Sequence, residues 1–137
     1  MDSARPDILT PLQRTVLDAV FAQEPFASAF YLTGGTALAA FYLFHRYSDD
    51  LDLFTNTQSL ELVWPTLQPL LPTLGLTVEF RTPQFIRLRH ADGLRVDIVH
   101  DVPWRLGIPV RQGTWLIDSL ENITLNESES NTALCRR

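Results

Sequence analysis

The chain has 137 residues, of which 45% are apolar and 20% charged, enough to bury a core in one globular domain. Its formal net charge of −5 excludes general coating of nucleic acid, which rests on many Lys and Arg contacts to phosphate, though not a local basic patch. The single cysteine, Cys135, excludes an internal disulfide framework and gives no sign of a zinc site. No apolar run is long enough to cross a membrane, and Met1 to Pro6 lacks signal-peptide architecture, so a soluble, cytoplasmic protein is expected.

In chain order, Thr10-Pro11 is a helix start, a hydroxyl cap followed by proline at the first helical position. Leu12, Val16, Leu17, Val20 and Phe21 recur at helical spacing, which predicts an amphipathic helix from Pro11 to about Ala22. Glu24-Pro25 breaks it. Ala29 to Thr33 reads as a first strand, ended by Gly34-Gly35, and Thr36 to about Leu43 as a helix. His45 to Asp49 is a polar loop. Asp50 to Thr55 alternates acidic and apolar residues, the pattern of a strand with two unlike faces. Thr57 to Leu74 is helical, with a buried stripe of Leu60, Val63, Leu67, Leu70 and Leu71, and is broken by its prolines Pro65, Pro69 and Pro72. Gly75 ends it.

Leu76 to Arg81 predicts a strand. Gln84 to His90 and Leu94 to His100 predict two more, forming a hairpin around Ala91-Asp92-Gly93. A small second hairpin is expected from Ile108–Arg111 and Thr114–Ile117, and Asp118 or Ser119 is placed to cap a last helix. The order predicts a mixed α/β or α+β domain over residues 1–126, with residues 127–137 as a polar, disordered tail.

Three elements carry candidate chemistry. Asp50 and Asp52 lie two apart on a strand, so both carboxylates project to one face while Leu51 and Leu53 turn to the core. Two hard oxygen donors on a rigid edge suit Mg²⁺; a solvated acidic edge is the plainer reading. Gly34, Gly35 and Thr36 stand between a strand and a helix, where backbone N–H groups and a hydroxyl can meet a phosphate, or where a tight turn alone accounts for them. Asp97 is a lone acid in the apolar strand Leu94–Val99. It shares a face with Arg95, so it needs either that arginine as partner or a metal. Arg87 and Arg89 alternate on one face of the neighbouring strand, where they can neutralise a triphosphate, touch an acceptor RNA or simply be solvated. Arg46 and Ser48 are placed to touch phosphate or to form an ordinary polar loop. His90 and His100 lack metal-ligand spacing, and Trp64, Trp104 and Trp115 read as core or cover.

The order of these elements resembles the nucleotidyltransferase superfamily of the DNA polymerase β type. Leu32-Thr-Gly-Gly-Thr-Ala-Leu-Ala39 followed by His45-Arg-Tyr-Ser-Asp-Asp-Leu-Asp-Leu-Phe54, with Val96-Asp97 later, resembles more narrowly the AbiEii/AbiGii toxin family of toxin–antitoxin and abortive-infection systems. The resemblance covers Thr10 to about Asn126. It implies a mixed β-sheet flanked by helices, and transfer of NMP from an NTP to a hydroxyl, on RNA, with Mg²⁺ or Mn²⁺. It assigns Asp50, Asp52 and Asp97 as catalytic metal ligands, Gly34, Gly35, Thr36, Arg46 and Ser48 as nucleotide contacts, and a cognate antitoxin as partner. The family pattern departs at Glu127, where a lysine would open a helical half. The chain is therefore expected to be a shortened member, and two alternatives stand beside the first: an inactive nucleotide- or antitoxin-binding remnant, and a small-molecule, antibiotic-type nucleotidyltransferase.

Overall fold

The computed structural model describes residues 9–34, 37, 50–100 and 108–119. Helix α1 spans Pro11–Phe21, with Thr10 as its cap. The Thr10 hydroxyl accepts from the Gln13 backbone N–H (3.0 Å) while the Gln13 side chain accepts from the Thr10 N–H (2.8 Å), a reciprocal capping box. The next segment departs from expectation. Phe26–Ala29 forms a short helix, α2, and strand β1 is confined to Tyr31–Thr33. Phe26 and Phe30 are both fully buried with ring centroids 4.6 Å apart. The turn of helix brings two rings four residues apart to the same side, which an extended segment does not do.

Strand β2 (Leu51–Thr55) leads to a helix broken as its prolines predict, into α3 (Leu60–Leu67) and α4 (Leu70–Leu74). Pro65 is accommodated inside α3, and the break falls at Gln68-Pro69. A meander follows: β3 (Leu76–Arg81), β4 (Phe85–His90) and β5 (Arg95–His100). The small hairpin is β6 (Val110–Gln112) with β7 (Trp115–Ile117). The expected helix over Thr36–Leu43, the loop before Asp50, Trp104, the last helix and the polar tail lie outside the described residues, Ala37 excepted, which is buried.

The strands form one seven-stranded mixed sheet in the order β3-β4-β5-β2-β1-β7-β6. β2 pairs parallel with β5 and antiparallel with β1, and β1 pairs parallel with β7. One face carries Leu32, Leu51, Leu53, Ile86, Leu88, Val96, Ile98 and Ile117, all buried in one cluster with Val16, Leu17 and Val20 of α1, Val63 and Leu67 of α3 and Leu71 of α4. The period-two alternation of β2, β4 and β5 thereby sends the charged residues to the other face.

Gly75 caps α4 in the left-handed conformation (φ +71°), and a Cβ there would come within 2.9 Å of His90 Nε2. Gly75→Ala should therefore destabilise the fold by about 1–3 kcal/mol, read from urea unfolding. Adding His90→Ala should recover only the share that comes from the ring.

Candidate functional site

The outer face of the sheet can be read as rows, because paired residues on adjacent strands project to the same side. Register sets Thr33 of β1 beside Asp52 of β2, Asp52 beside Asp97 of β5, and Asp97 beside Arg87 of β4. The row one step toward the start of β2 holds Asp50, Arg95 and Arg89, since Leu51 pairs with Val96 and Arg95 with Arg89. Asp50, Asp52 and Asp97 thus share one face over two adjacent parallel strands. Gly35, Thr36, Arg46 and Ser48 lie outside the described residues.

Gly34 adjoins this patch directly. It has φ +80°, a conformation that L side chains rarely adopt, and a Cβ added to it would overlap the Asp52 carboxylate, 3.0 Å from its Cγ and 3.2 Å from its Cβ. The glycine is required here so that the Asp52 side chain can lie against the backbone at the end of β1. Thr33 is buried beside them, and its Oγ1 has no hydrogen-bond partner among the described residues.

Two of the carboxylates, Asp50 and Asp97, are charge-compensated by arginine. Arg87 grips Asp97 with a two-pronged fork, Nε to Oδ1 at 2.9 Å and Nη2 to Oδ2 at 3.1 Å. Arg95 Nη2 lies 2.9 Å from Asp50 Oδ2, and its Nε 3.4 Å from Asp97 Oδ2, so it spans both rows. The Asp97 side chain is only 9% exposed, while Arg87 and Arg95 keep about a third of theirs in solvent, at 32% and 33%. The hydrogen bonds to Asp97 hold the Arg87 guanidinium above its ordinary pKa; burial pulls the other way, and the charges of Asp97, Glu79 and Asp50 add to the rise. A raised pKa in the folded state stabilises it fully below the unfolded value and is lost only above that. For arginine this lies far above neutral, so the Arg87 contribution is constant across pH 5–9.

Arg95 is thus a partner of Asp97, as its face predicts, but Arg87 makes the tighter contact, and its pairing with Asp97 is the feature that reading along the chain misses. A usable signal was present: in a hairpin turning around Asp92, residues equally distant from it face each other, which puts Arg87 opposite Asp97. Arg89 bonds Glu79 on the edge strand (3.1 and 3.3 Å). Of the tryptophans, Trp64 lies under the Arg81 guanidinium, 4.2 Å from its ring centre, and Trp115 packs against the core while its Nε1 donates to Asp18. His90 Nδ1 accepts from the Asp92 N–H in the hairpin turn.

In kind and in placement on the sheet, the three carboxylates suit a hard divalent ion. In side-chain arrangement Asp50 and Asp97 are committed to arginine, and among the described residues no group of three His, Cys, Asp or Glu is gathered closely enough to hold a metal.

Residues 15–110 match the family model described as nucleotidyl transferase AbiEii toxin, type IV toxin–antitoxin system. The chain belongs to this family. Among solved structures, the fold is similar to that of JHP933 from Helicobacter pylori (TM-score 0.57, 17% identity, covering 87% of this chain and 57% of that one). It is also similar to a protein from H. pylori described as a candidate nucleotidyltransferase (TM-score 0.55, 19% identity, covering 85% and 54%). At these identities the likeness is one of fold, and the chain spans little more than half the length of either. No curated protein matches the chain. Among the described residues no helix is long and apolar enough to cross a membrane.

Proposed function

We propose that this AbiEii-family chain is a metal-dependent nucleotidyltransferase, the toxin of an antitoxin-controlled pair, moving NMP from an NTP to a hydroxyl on RNA. The observation that carries the reading is the outer face of β2 and β5: Asp50, Asp52 and Asp97 on one side of two adjacent strands, with the β1 glycine turn pressed against Asp52. Asp50, Asp52 and Asp97 would hold Mg²⁺ or Mn²⁺. Bound there, the ion would neutralise phosphate charge and make the attacking hydroxyl more acidic. Gly34, Gly35, Thr36, Arg46 and Ser48 would meet the phosphates, and the Thr33 hydroxyl, buried beside Asp52 and without a hydrogen-bond partner among the described residues, would be a further donor at the same end of the strand.

In the reaction the acceptor oxygen forms a bond to the α-phosphorus, the α–β bridging P–O bond breaks, and pyrophosphate leaves with the electron pair. The hydroxyl proton passes to Asp97 or to water. The rigid sheet contributes by fixing the acidic residues relative to the glycine turn before substrate arrives. The fold and family support the transfer chemistry; RNA as acceptor and the antitoxin as partner come from the family's character.

The test is label transfer from α-labelled NTPs to total RNA with Mg²⁺. The unaltered chain should label RNA, chelation of the metal should stop it, and Asp50→Asn should lower it by about 100-fold. Transfer that survives Asp50→Asn and Asp52→Asn together would remove the assigned site. Metal-dependent NTP binding without transfer to any acceptor would instead identify a binding-only protein, and label on small hydroxyl compounds but not RNA would identify an antibiotic-type enzyme.

A further inference from the structure

Asp97 is almost fully buried and carries two arginines on its carboxylate, while Asp50 shares one of them. A buried carboxylate needs positive charge beside it at all times. The guanidinium fork takes one lone pair on each oxygen of Asp97 and places its positive charge against the carboxylate that a divalent ion would draw on, so fork and ion compete for the same anion. We propose that Arg87, assisted by Arg95, is a built-in counter-cation that competes with the divalent metal for the carboxylate row, so that the metal loads by displacing arginine. The inference rests on the reading of that row as the metal site.

Three features make the exchange physically workable. Arg87 is about one-third exposed, so its guanidinium has solvent to swing into. Phe85, two residues earlier on the same face, lies under it at 5.2 Å from ring centre to Cζ, so the displaced side chain retains an aromatic surface. And Arg95 sits between Asp50 and Asp97, so release of Asp97 leaves its bond to Asp50 intact. Arg87 is thus a positioning residue. It keeps Asp97 compensated when metal is absent and, once released, stands on the site face as a cation available to the phosphates of an incoming NTP.

The test is Mn²⁺ binding to the full chain without nucleotide, followed by the loss of the free-ion signal in electron paramagnetic resonance. If the row is free of Arg87 about one-tenth of the time, Arg87→Gln should tighten Mn²⁺ binding by about 10-fold. Arg87→Lys keeps the charge but not the fork, and should tighten it by about 3-fold; it serves if Arg87→Gln does not fold. Arg89→Gln, whose partner is Glu79, should leave the affinity unchanged. A merely structural role for Arg87 predicts the opposite sign, since a loosened strand pair would bind metal more weakly. Unchanged or weaker Mn²⁺ binding in folded Arg87 variants, with binding by the unaltered chain, overturns this inference alone. Absence of Mn²⁺ binding by the unaltered chain and by both variants overturns it together with the metal reading.

Discussion

Gly34→Ala should cut nucleotidyl transfer by about 100-fold or more, and lower stability by about 1–3 kcal/mol. Two effects combine. The backbone at Gly34 is left-handed, which strains any L side chain, and the new methyl group lands on the Asp52 side chain. The contact is with a carboxylate on a rotatable bond, so the structure relieves it by turning Asp52 away rather than by opening the sheet. A displacement of about 1 Å at a reacting group is enough for the expected loss. Measured as a double-mutant cycle, Gly34→Ala with Asp52→Ala should be less destabilising than the sum of the two, because the overlap is gone while the backbone strain remains. A fully additive cycle would show that the two residues do not touch.

The second large effect is expected at Asp97. Asp97→Ala removes the acceptor of both Arg87 hydrogen bonds and one of the two anions beside Arg95. Breaking a fully buried pair from one side costs several kcal/mol, because the surviving charge is left stranded. Here Arg87 and Arg95 are partly solvated, so they can turn to water, and the expected loss is about 2 kcal/mol in urea unfolding. Arg87→Ala in the Asp97→Ala background should cost little more, the mark of a coupled pair. Transfer activity should vanish in Asp97→Ala even at temperatures where the variant is fully folded, which separates loss of the third carboxylate from loss of the fold.

The parts of this molecule that were legible from sequence are those governed by local rules. The alternation of Leu51-Asp-Leu-Phe-Thr55, the hydroxyl cap at Thr10, the proline-broken helix and the Ala91-Asp92-Gly93 hairpin each follow from a few neighbouring residues, and each is present. The segment from Phe26 was not legible in the same way. The short helix over Phe26–Ala29 is one that four residues are too few to signal, although it sends both Phe26 and Phe30 into the core. The candidate site divides along the same line. That Asp50 and Asp52 share a face is a property of one strand. That Asp97 lies beside Asp52 depends on β5 entering the sheet next to β2 rather than at its edge, which no local pattern encodes.

The parallel seam between β2 and β5 has a consequence for the life history of the molecule. Its two strands are joined through α3, α4, β3 and β4, so their pairing is among the most non-local in the fold and closes a long loop when it forms. β1 with β2, and β3 with β4 and β5, can each assemble as a local antiparallel unit; only the docking of one unit on the other sets Asp52 beside Asp97. A ribosome-bound chain that has not yet released residue 97, or a fragment cut in the intervening helices, therefore contains only half of the proposed carboxylate row whatever else it has folded. The seam therefore makes assembly of the proposed carboxylate row coincide with the docking of the two antiparallel units.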